Sequence, residues 1–264
     1  MHSVLQLPLH FDVMRLQEAL AQVSPDVWPA HSVRIHYDEG WGGIALRSGS
    51  GRADDLHAAP LHTYRNTPVL EQSGYLREVL ASFHCSLGRV RLLRLAVGAV
   101  IHEHVDEGVG RGRNQLRLHV PIQTNPGVEF YSNGRRVTLA PGECWFIDTT
   151  YPHRLANRGN QDRIHLVIDC VVNEWLLAMF PPGFARPSLA TRLRRKIETT
   201  FYLSKDIARA VRLGDASELV KRTKRLVKWL GGRWIKMRYQ WLRKRVLRLA
   251  RGAQPKPLPA ESQD

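Results

Sequence analysis

Apolar positions change period twice along this chain. Near the start, Val13, Leu16, Leu20 and Val23 recur at helical spacing behind Asp12, whose short carboxylate suits a helix N-cap. Ser24-Pro25 ends that helix, because the residue before proline is pushed out of the helical region. Trp28 to Leu46 then alternates loosely, with Val33, Ile35 and Tyr37 two apart, which predicts a strand. Residues 47–68 are rich in Ser, Gly, His and Pro and predict loop, and Leu76 to Phe83 predicts a short helix.

The middle of the chain reads in twos. Val90 to Ile101, Gln115 to Ile122, Val128 to Tyr131, Arg136 to Leu139, Glu143 to Asp148 and Arg163 to Cys170 are short, β-branched or aromatic, and bounded by turn residues. Ser132-Asn133-Gly134 between two of them signals a hairpin. Short strands at such even spacing predict a β-sandwich or barrel. Helical spacing returns after Asn173. It continues in Leu193–Leu213, Ala216–Leu230 and Arg233–Arg251, with breaks at Gly214 and Gly231-Gly232. The closing Gln254-Pro-Lys-Pro-Leu-Pro predicts an extended tail.

The overall charge of +15 suggests a polyanion partner until its distribution is considered. Fourteen of the 39 Lys and Arg fall from Leu219 onward against two acids, so the body of the chain is nearly neutral. Within Val220–Arg251 the cations are interleaved with Trp229, Trp234 and Trp241, and Leu226, Leu230, Trp234, Met237 and Trp241 form one helical stripe. Such a helix reads as an anchor to an anionic membrane surface. It reads equally as a helix packed on the core or on a second subunit. Nucleic acid is disfavoured, since no recognition motif accompanies the charge. The opening segment lacks a basic start and a continuous apolar core, and the three cysteines are scattered. The expectation is a cytoplasmic protein, peripheral on the inner face of the membrane if the basic helices bind it.

One constellation carries chemistry. His104 and Asp106 stand two apart at the end of a strand, so both side chains reach the same side. His153 follows the strand that ends at Asp148. Two histidines and a carboxylate form the facial triad of non-haem Fe(II) oxygenases, with three-ligand zinc hydrolases as the chemical competitor. Arg163 opens a later strand, and its planar fork suits a carboxylate. Arg117 and His119 share one face of the strand between the two metal motifs. His102 is an alternative ligand should the register slip. His165 reads as a satisfied core histidine, and His31, His57 and His62 as surface or substrate-side residues. Cys144 and Cys170 read as small buried hydrophobes.

With Arg117-Leu-His119-Val-Pro-Ile, Gly142-Glu-Cys-Trp-Phe-Ile-Asp148, His153, Asn157 and Arg163-Ile-His-Leu-Val-Ile-Asp169, the chain resembles the aspartyl/asparaginyl β-hydroxylase family over roughly residues 88–172. Trp28, His31, Trp41 and Thr67-Pro68 extend the likeness more weakly. The resemblance implies a double-stranded β-helix, the cupin-like jelly-roll, with flanking helices. It implies Fe(II), 2-oxoglutarate and O2, with His104, Asp106 and His153 as metal ligands. It implies Arg163 on the far carboxylate of 2-oxoglutarate, in the same cavity as the metal ligands, with Arg117 and His119 near the chelating end. Animal members that modify EGF-like domains lack the carboxylate ligand. Asp106 therefore aligns this chain with the bacterial branch, which includes proline cis-hydroxylases and lipid hydroxylases.

The expected organisation is an N-terminal part of the hydroxylase domain over 1–87 and a jelly-roll core over 88–180. A helical basic region over 185–252 and a tail over 253–264 complete it. The expected activity is hydroxylation of an unactivated C–H of a small-molecule or peptide-borne amino acid, with release of succinate and CO2. Hydroxylation of a lipid acyl chain and a non-catalytic jelly-roll binding module are the alternatives. The glycine-rich stretch Glu107–Asn114 reads as a long, flexible substrate lid.

Overall fold

The computed structural model describes residues 3–23, 28–106 and 108–229. The chain begins with strand β1 (Val4–His10) and helix α1 (Val13–Ala21). The Asp12 carboxylate accepts from the Arg15 N–H and caps α1, as the N-cap pattern predicts. Strand β2 (Trp41–Ser48), the two-residue β3 (Arg65–Asn66) and helices α2 (Pro68–Gln72) and α3 (Gly74–Ala81) complete the N-terminal part. The alternation at Val33, Ile35 and Tyr37 does not make a strand. Arg34–His36 form a single 3-10 turn, and Ile35, His36 and Tyr37 are all buried around it. A turn of about three residues can mimic period two over so short a stretch.

Eight strands follow: β4 (Leu87–Leu95), β5 (Val100–His104), β6 (Gln115–Gln123), β7 (Val128–Ser132), β8 (Arg135–Val137), β9 (Glu143–Ile147), β10 (His153–Asn157) and β11 (Arg163–Val171). They form two antiparallel sheets, ordered β1-β9-β6-β11-β4-β2-β3 and β5-β10-β7-β8. The pairs are nested. β7 pairs with β8, β6 with β9, β5 with β10 and β4 with β11. One long hairpin is thus rolled up so that successive strands pass between sheets, which is the double-stranded β-helix. Its innermost turn is Asn133-Gly134, both at positive φ, the backbone that a tight hairpin needs and that Asn-Gly supplies at least strain.

The large sheet separates two environments by alternation. Leu116, Leu118, Val120 and Ile122 of β6 and Leu166, Ile168 and Cys170 of β11 face outward. There they pack with Leu16 of α1 and Leu76, Val79 and Leu80 of α3, and with Leu176 of α4 (Glu174–Leu177). Burying each leucine side chain stabilises the fold by about 1.5–3 kcal/mol. A smaller apolar cluster of Leu95, Ile101, Phe130, Ile147 and Leu155 fills one part of the barrel interior. Cys144 and Cys170 are buried, as expected of small hydrophobes.

The chain divides into two compact units, residues 1–198 and 199–264. The division falls within α5 (Leu189–Arg212). In the second unit α6 (Ala216–Trp229) follows Gly214, and Arg222 of α6 pairs with Asp206 at 2.9 Å and with Glu218. The helix read over Arg233–Arg251, the stripe through Trp234 and Trp241 and the tail over 253–264 lie outside the described residues. So does the side chain of Trp229. Among the described residues no helix is long and apolar enough to cross a membrane.

Candidate metal centre and barrel interior

His104 ends β5 and His153 begins β10, and the two residues are directly paired across the small sheet. Asp106 lies just beyond β5, held by its N–H to the carbonyl of Thr149 at 2.8 Å. One donor atom from each of His104, Asp106 and His153 lies within 4.8 Å of the others, close enough for one ion. The local chain sets which ring nitrogens face inward. His104 Nδ1 lies 2.7 Å from the carbonyl of His102, and His153 Nδ1 lies 3.0 Å from the carbonyl of Tyr151. A carbonyl only accepts, so each Nδ1 carries the proton and each Nε2 keeps its lone pair for the centre.

The electrostatics suit ligation. Burial, then the neighbouring His36 and His153, hold His104 well below the ordinary histidine value, and burial lowers His153. Both rings are therefore neutral at pH 7, the form that binds a metal. Burial alone would raise the Asp106 carboxyl, but Arg117, His104 and His153 hold it well below the usual carboxylate range. Its oxygens stand 3.8 Å from His104 Nε2 and 2.5 Å from Arg117 Nη1. Neutral imidazoles plus a carboxylate are the donor set of a divalent transition metal.

His102 is turned the other way, with Nε2 2.9 Å from Asp38. Its contribution is the carbonyl that orients His104. The two-residue spacing alone could not separate these histidines.

The inner face of the large sheet is strongly cationic. Arg117 of β6 donates to Asp169 at 2.7 and 3.1 Å, and Arg89 of β4 reaches the same carboxylate at 3.4 Å. Arg117 thus stands between Asp169 and Asp106. Despite burial, both carboxylates raise the Arg117 pKa above its ordinary value. Arg163 and His165 form a second group farther along β11. Arg163 Nη2 donates to His165 Nδ1 at 2.9 Å, so His165 is an acceptor rather than a cation. Burial draws Arg163 down to about 9, still charged at neutral pH, and leaves its Nε without a partner. His119, whose ring lies 5.9 Å from that of His165, has neither nitrogen hydrogen-bonded. Buried polar atoms without partners are rare in native proteins and mark a place for a ligand.

Arg163 and His165 line a cavity of about 470 Å³ together with Phe130, Val137 and Leu139. The three triad residues are not among its lining residues. The structure thus brings the triad together with Arg117, and Arg163 with His165 and His119.

Three features depart from the sequence reading. Of the two places expected for His31, surface or substrate side, the surface one is not taken: it is buried and stacked on Trp41 at 3.6 Å. The stretch after Glu107 is tied down: Arg111 is buried and donates to the carbonyls of Phe184 and Gly183, and Arg195 donates to its carbonyl. Gly110 sits at φ 132°, where a Cβ would meet Asp148 Oδ1 at 2.5 Å, so glycine is required by packing as well as by backbone. A run of glycines reads as flexibility, and here part of it serves close approach. Asp169, His36 and Arg91 also escape the sequence reading. The His36 ring lies 4.0 Å from that of His104, tilted by 30°. The available signal for Asp169 was its two-residue phase with Arg163 and His165.

Fold and site together define a jelly-roll protein with a two-histidine, one-carboxylate centre. A family model described as Aspartyl/Asparaginyl beta-hydroxylase matches residues 16–172, and the chain belongs to that family. An L-proline cis-4-hydroxylase of Rhizobium meliloti (strain 1021) is 30% identical over 183 residues, which are 67% of this chain and 61% of that protein. The match therefore spans less than two thirds of that relative's length. A prolyl-4-hydroxylase structure from Pseudomonas putida superposes with a TM-score of 0.41 at 12% identity, covering 66% of this chain and 94% of that one. A 2OG-Fe(II) oxygenase family oxidoreductase from Burkholderia pseudomallei gives 0.40 at 15%, covering 64% and 84%.

Proposed function

We propose that the protein is an Fe(II)- and 2-oxoglutarate-dependent dioxygenase that hydroxylates an unactivated C–H of an amino acid or amino-acid residue. The observation that carries this reading is the triad of buried His104 and His153 with half-buried Asp106, whose donor atoms converge within 4.8 Å. Family membership and the proline hydroxylase relative point the same way. Iron with 2-oxoglutarate and O2 supplies the oxidising chemistry, yielding succinate, CO2 and the hydroxylated product.

The chain's own residues hold and orient. His102 and Tyr151 carbonyls fix the two imidazoles. Asp169 fixes Arg117, and Arg117 fixes Asp106. Arg163 would hold the far carboxylate of 2-oxoglutarate, with Arg117 and His119 nearer the metal. The unpartnered Arg163 Nε and His119 nitrogens fit a dianion. The intact triad beside Arg163 argues against a non-catalytic jelly-roll module that binds a small acid or sugar, because such a module has no reason to keep three iron ligands. Succinate release on incubation with Fe(II), 2-oxoglutarate, ascorbate and amino-acid substrates tests the proposal. No release with any of them, while zinc supports hydrolysis, would favour the zinc competitor.

The membrane reading retains one observation. Lys221, Lys224, Arg225 and Lys228 of α6 are all exposed, and each cation near an anionic surface contributes about 1 kcal/mol. Salt-sensitive sedimentation with anionic vesicles, lost on truncation after Asp215, is the expected outcome. Equal behaviour of full-length and truncated protein removes this reading and, with it, the main support for a lipid substrate.

A further inference from the structure

A short turn orients two of the three candidate ligands. Asp148 to Tyr151 lie between β9 and β10. The Thr149 carbonyl holds the N–H of Asp106 at 2.8 Å, and the Tyr151 carbonyl holds Nδ1 of His153 at 3.0 Å. Asp148 is the fixed point of that turn. Its N–H donates to the Ser3 carbonyl at 2.8 Å, and its own carbonyl accepts from the Tyr151 N–H at 3.0 Å. Its Oδ1 accepts from the Thr150 hydroxyl at 2.6 Å.

The other carboxylate oxygen is taken by a residue from far along the chain. Arg195 of α5 donates through Nη2 to Asp148 Oδ2 at 2.7 Å, and both side chains are buried. Through Nη1 the same guanidinium donates to the carbonyl of Arg111. It therefore ties the turn behind the ligands to the glycine-rich stretch, where Gly110 packs against Asp148. Thr191 and Thr199, one helical turn to either side of Arg195, are buried too, whereas Arg192 and Lys196 are exposed. Arg195 lies beyond residue 172, where the family match ends, yet inside the first compact unit, which runs to residue 198.

We propose that Arg195 is a positioning residue of the metal centre. It fixes the Asp148–Tyr151 turn and, through the carbonyls of Thr149 and Tyr151, the angle at which Asp106 and His153 present their donors. The start of α5 is then a working part of the centre rather than an appendage to it. This rests on the metal-centre part of the reading above. Groups behind metal ligands set ligand orientation, and losing one typically weakens metal binding about 10–100-fold. A planar guanidinium satisfies a carboxylate and a carbonyl together, which the single charged point of a lysine does less well. An ion pair that served only to hold a helix on the barrel would change stability and leave metal binding alone.

Titration of the full-length protein with Mn(II), read by the paramagnetic resonance of the unbound ion, tests this alongside the absorption bands of the Co(II)-loaded protein. Arg195→Met should weaken Mn(II) binding by about tenfold or more, the scale for groups behind ligands, and shift the Co(II) bands. Arg195→Lys keeps a charge opposite Asp148 and should recover part of the affinity. Asp148→Asn breaks the same pair from its other side and should weaken Mn(II) binding to a similar degree. It carries the test if Arg195→Met does not fold. Leu176→Ala, in the outer apolar cluster, should lower the melting temperature and leave both Mn(II) affinity and Co(II) bands unchanged. A lower melting temperature with unchanged Mn(II) affinity in Arg195→Met and Asp148→Asn overturns the proposal and leaves an ion pair that only holds the helix. So does a loss of affinity in Leu176→Ala as large as that in Arg195→Met, which would tie metal binding to overall stability. Metal binding is read without turnover, so these outcomes are distinct from a failure of the hydroxylase reading. That failure would appear as absent succinate from protein that still binds Mn(II).

Discussion

The two faces of the large sheet are built from the same strands and share almost nothing else. On β11, Ile164, Leu166, Ile168 and Cys170 alternate with Arg163, His165, Val167 and Asp169. Of the first set, Leu166, Ile168 and Cys170 continue onto Leu118 and Val120 and lie under α1 and α3. The second meets Arg117 and His119. One face contributes burial, and the other gathers ionisable groups that burial penalises. The comparison teaches that stability and chemistry are divided here by a period of two. A substitution's effect should therefore follow the parity of its position.

The largest expected effect is on the small sheet that closes over the inner face. His153→Ala removes one of three ligands and should abolish succinate release, with the folded state retained by circular dichroism. Loss of folding together with activity would break the division.

The complementary change is Leu166→Ala. It should cost about 2–5 kcal/mol in denaturant unfolding, while the protein that remains folded keeps its affinity for Mn(II). A loss of metal affinity well before unfolding would show the faces to be coupled.

Arg163→Ala should weaken 2-oxoglutarate binding by at least about tenfold, with hydrogen bonds to charged groups contributing on the order of 1.5–3 kcal/mol. It should leave the unfolding midpoint of the ligand-free protein nearly unchanged. An unaltered 2-oxoglutarate affinity would sink the assignment.

The smallest effect is a pH dependence of stability. Burial lowers His31, His119 and His165 below the ordinary histidine value. The unfolded chain therefore binds more protons than the native one between the lowered values and about 6.5. This contribution is fully present above about 6.5 and is lost as pH falls through the lowered values. Unfolding midpoints of the metal-free protein should fall on acidification from pH 7 to pH 5, and His165→Phe should flatten the slope. A flat profile in the unsubstituted protein would mean that these rings are not buried as neutral groups.

Much of the barrel was legible because its signals are local. Strand length, turn residues and the Asn133-Gly134 hairpin are written in adjacent positions. The convergence of His104, Asp106 and His153 was legible because each sits at or just beyond a strand end beside a recognisable motif. β1 was not, since its strand character comes from pairing with the distant β9. The alternation at 33–37 misled because a 3-10 turn can imitate it. Arg91 and Asp169 were hidden for another reason. In a barrel both parities are buried, so polarity on one face does not by itself say whether a residue meets solvent, an ion pair or a ligand.

The nested pairing of the strands also sets an order in time. Only β7 and β8 are joined by a tight turn, and each outer pair, ending with β4 and β11, must close a longer loop than the one inside it. Loop closure costs more as the chain between partners lengthens, and non-local pairing slows folding. A chain rolled in this way assembles most readily from the hairpin outward. The histidine pair on β5 and β10 then comes into register before β11 pairs with β4 and brings Arg163 over it. A nascent chain would hold a place for metal before it held one for the co-substrate, and a substitution at Gly134 would delay both.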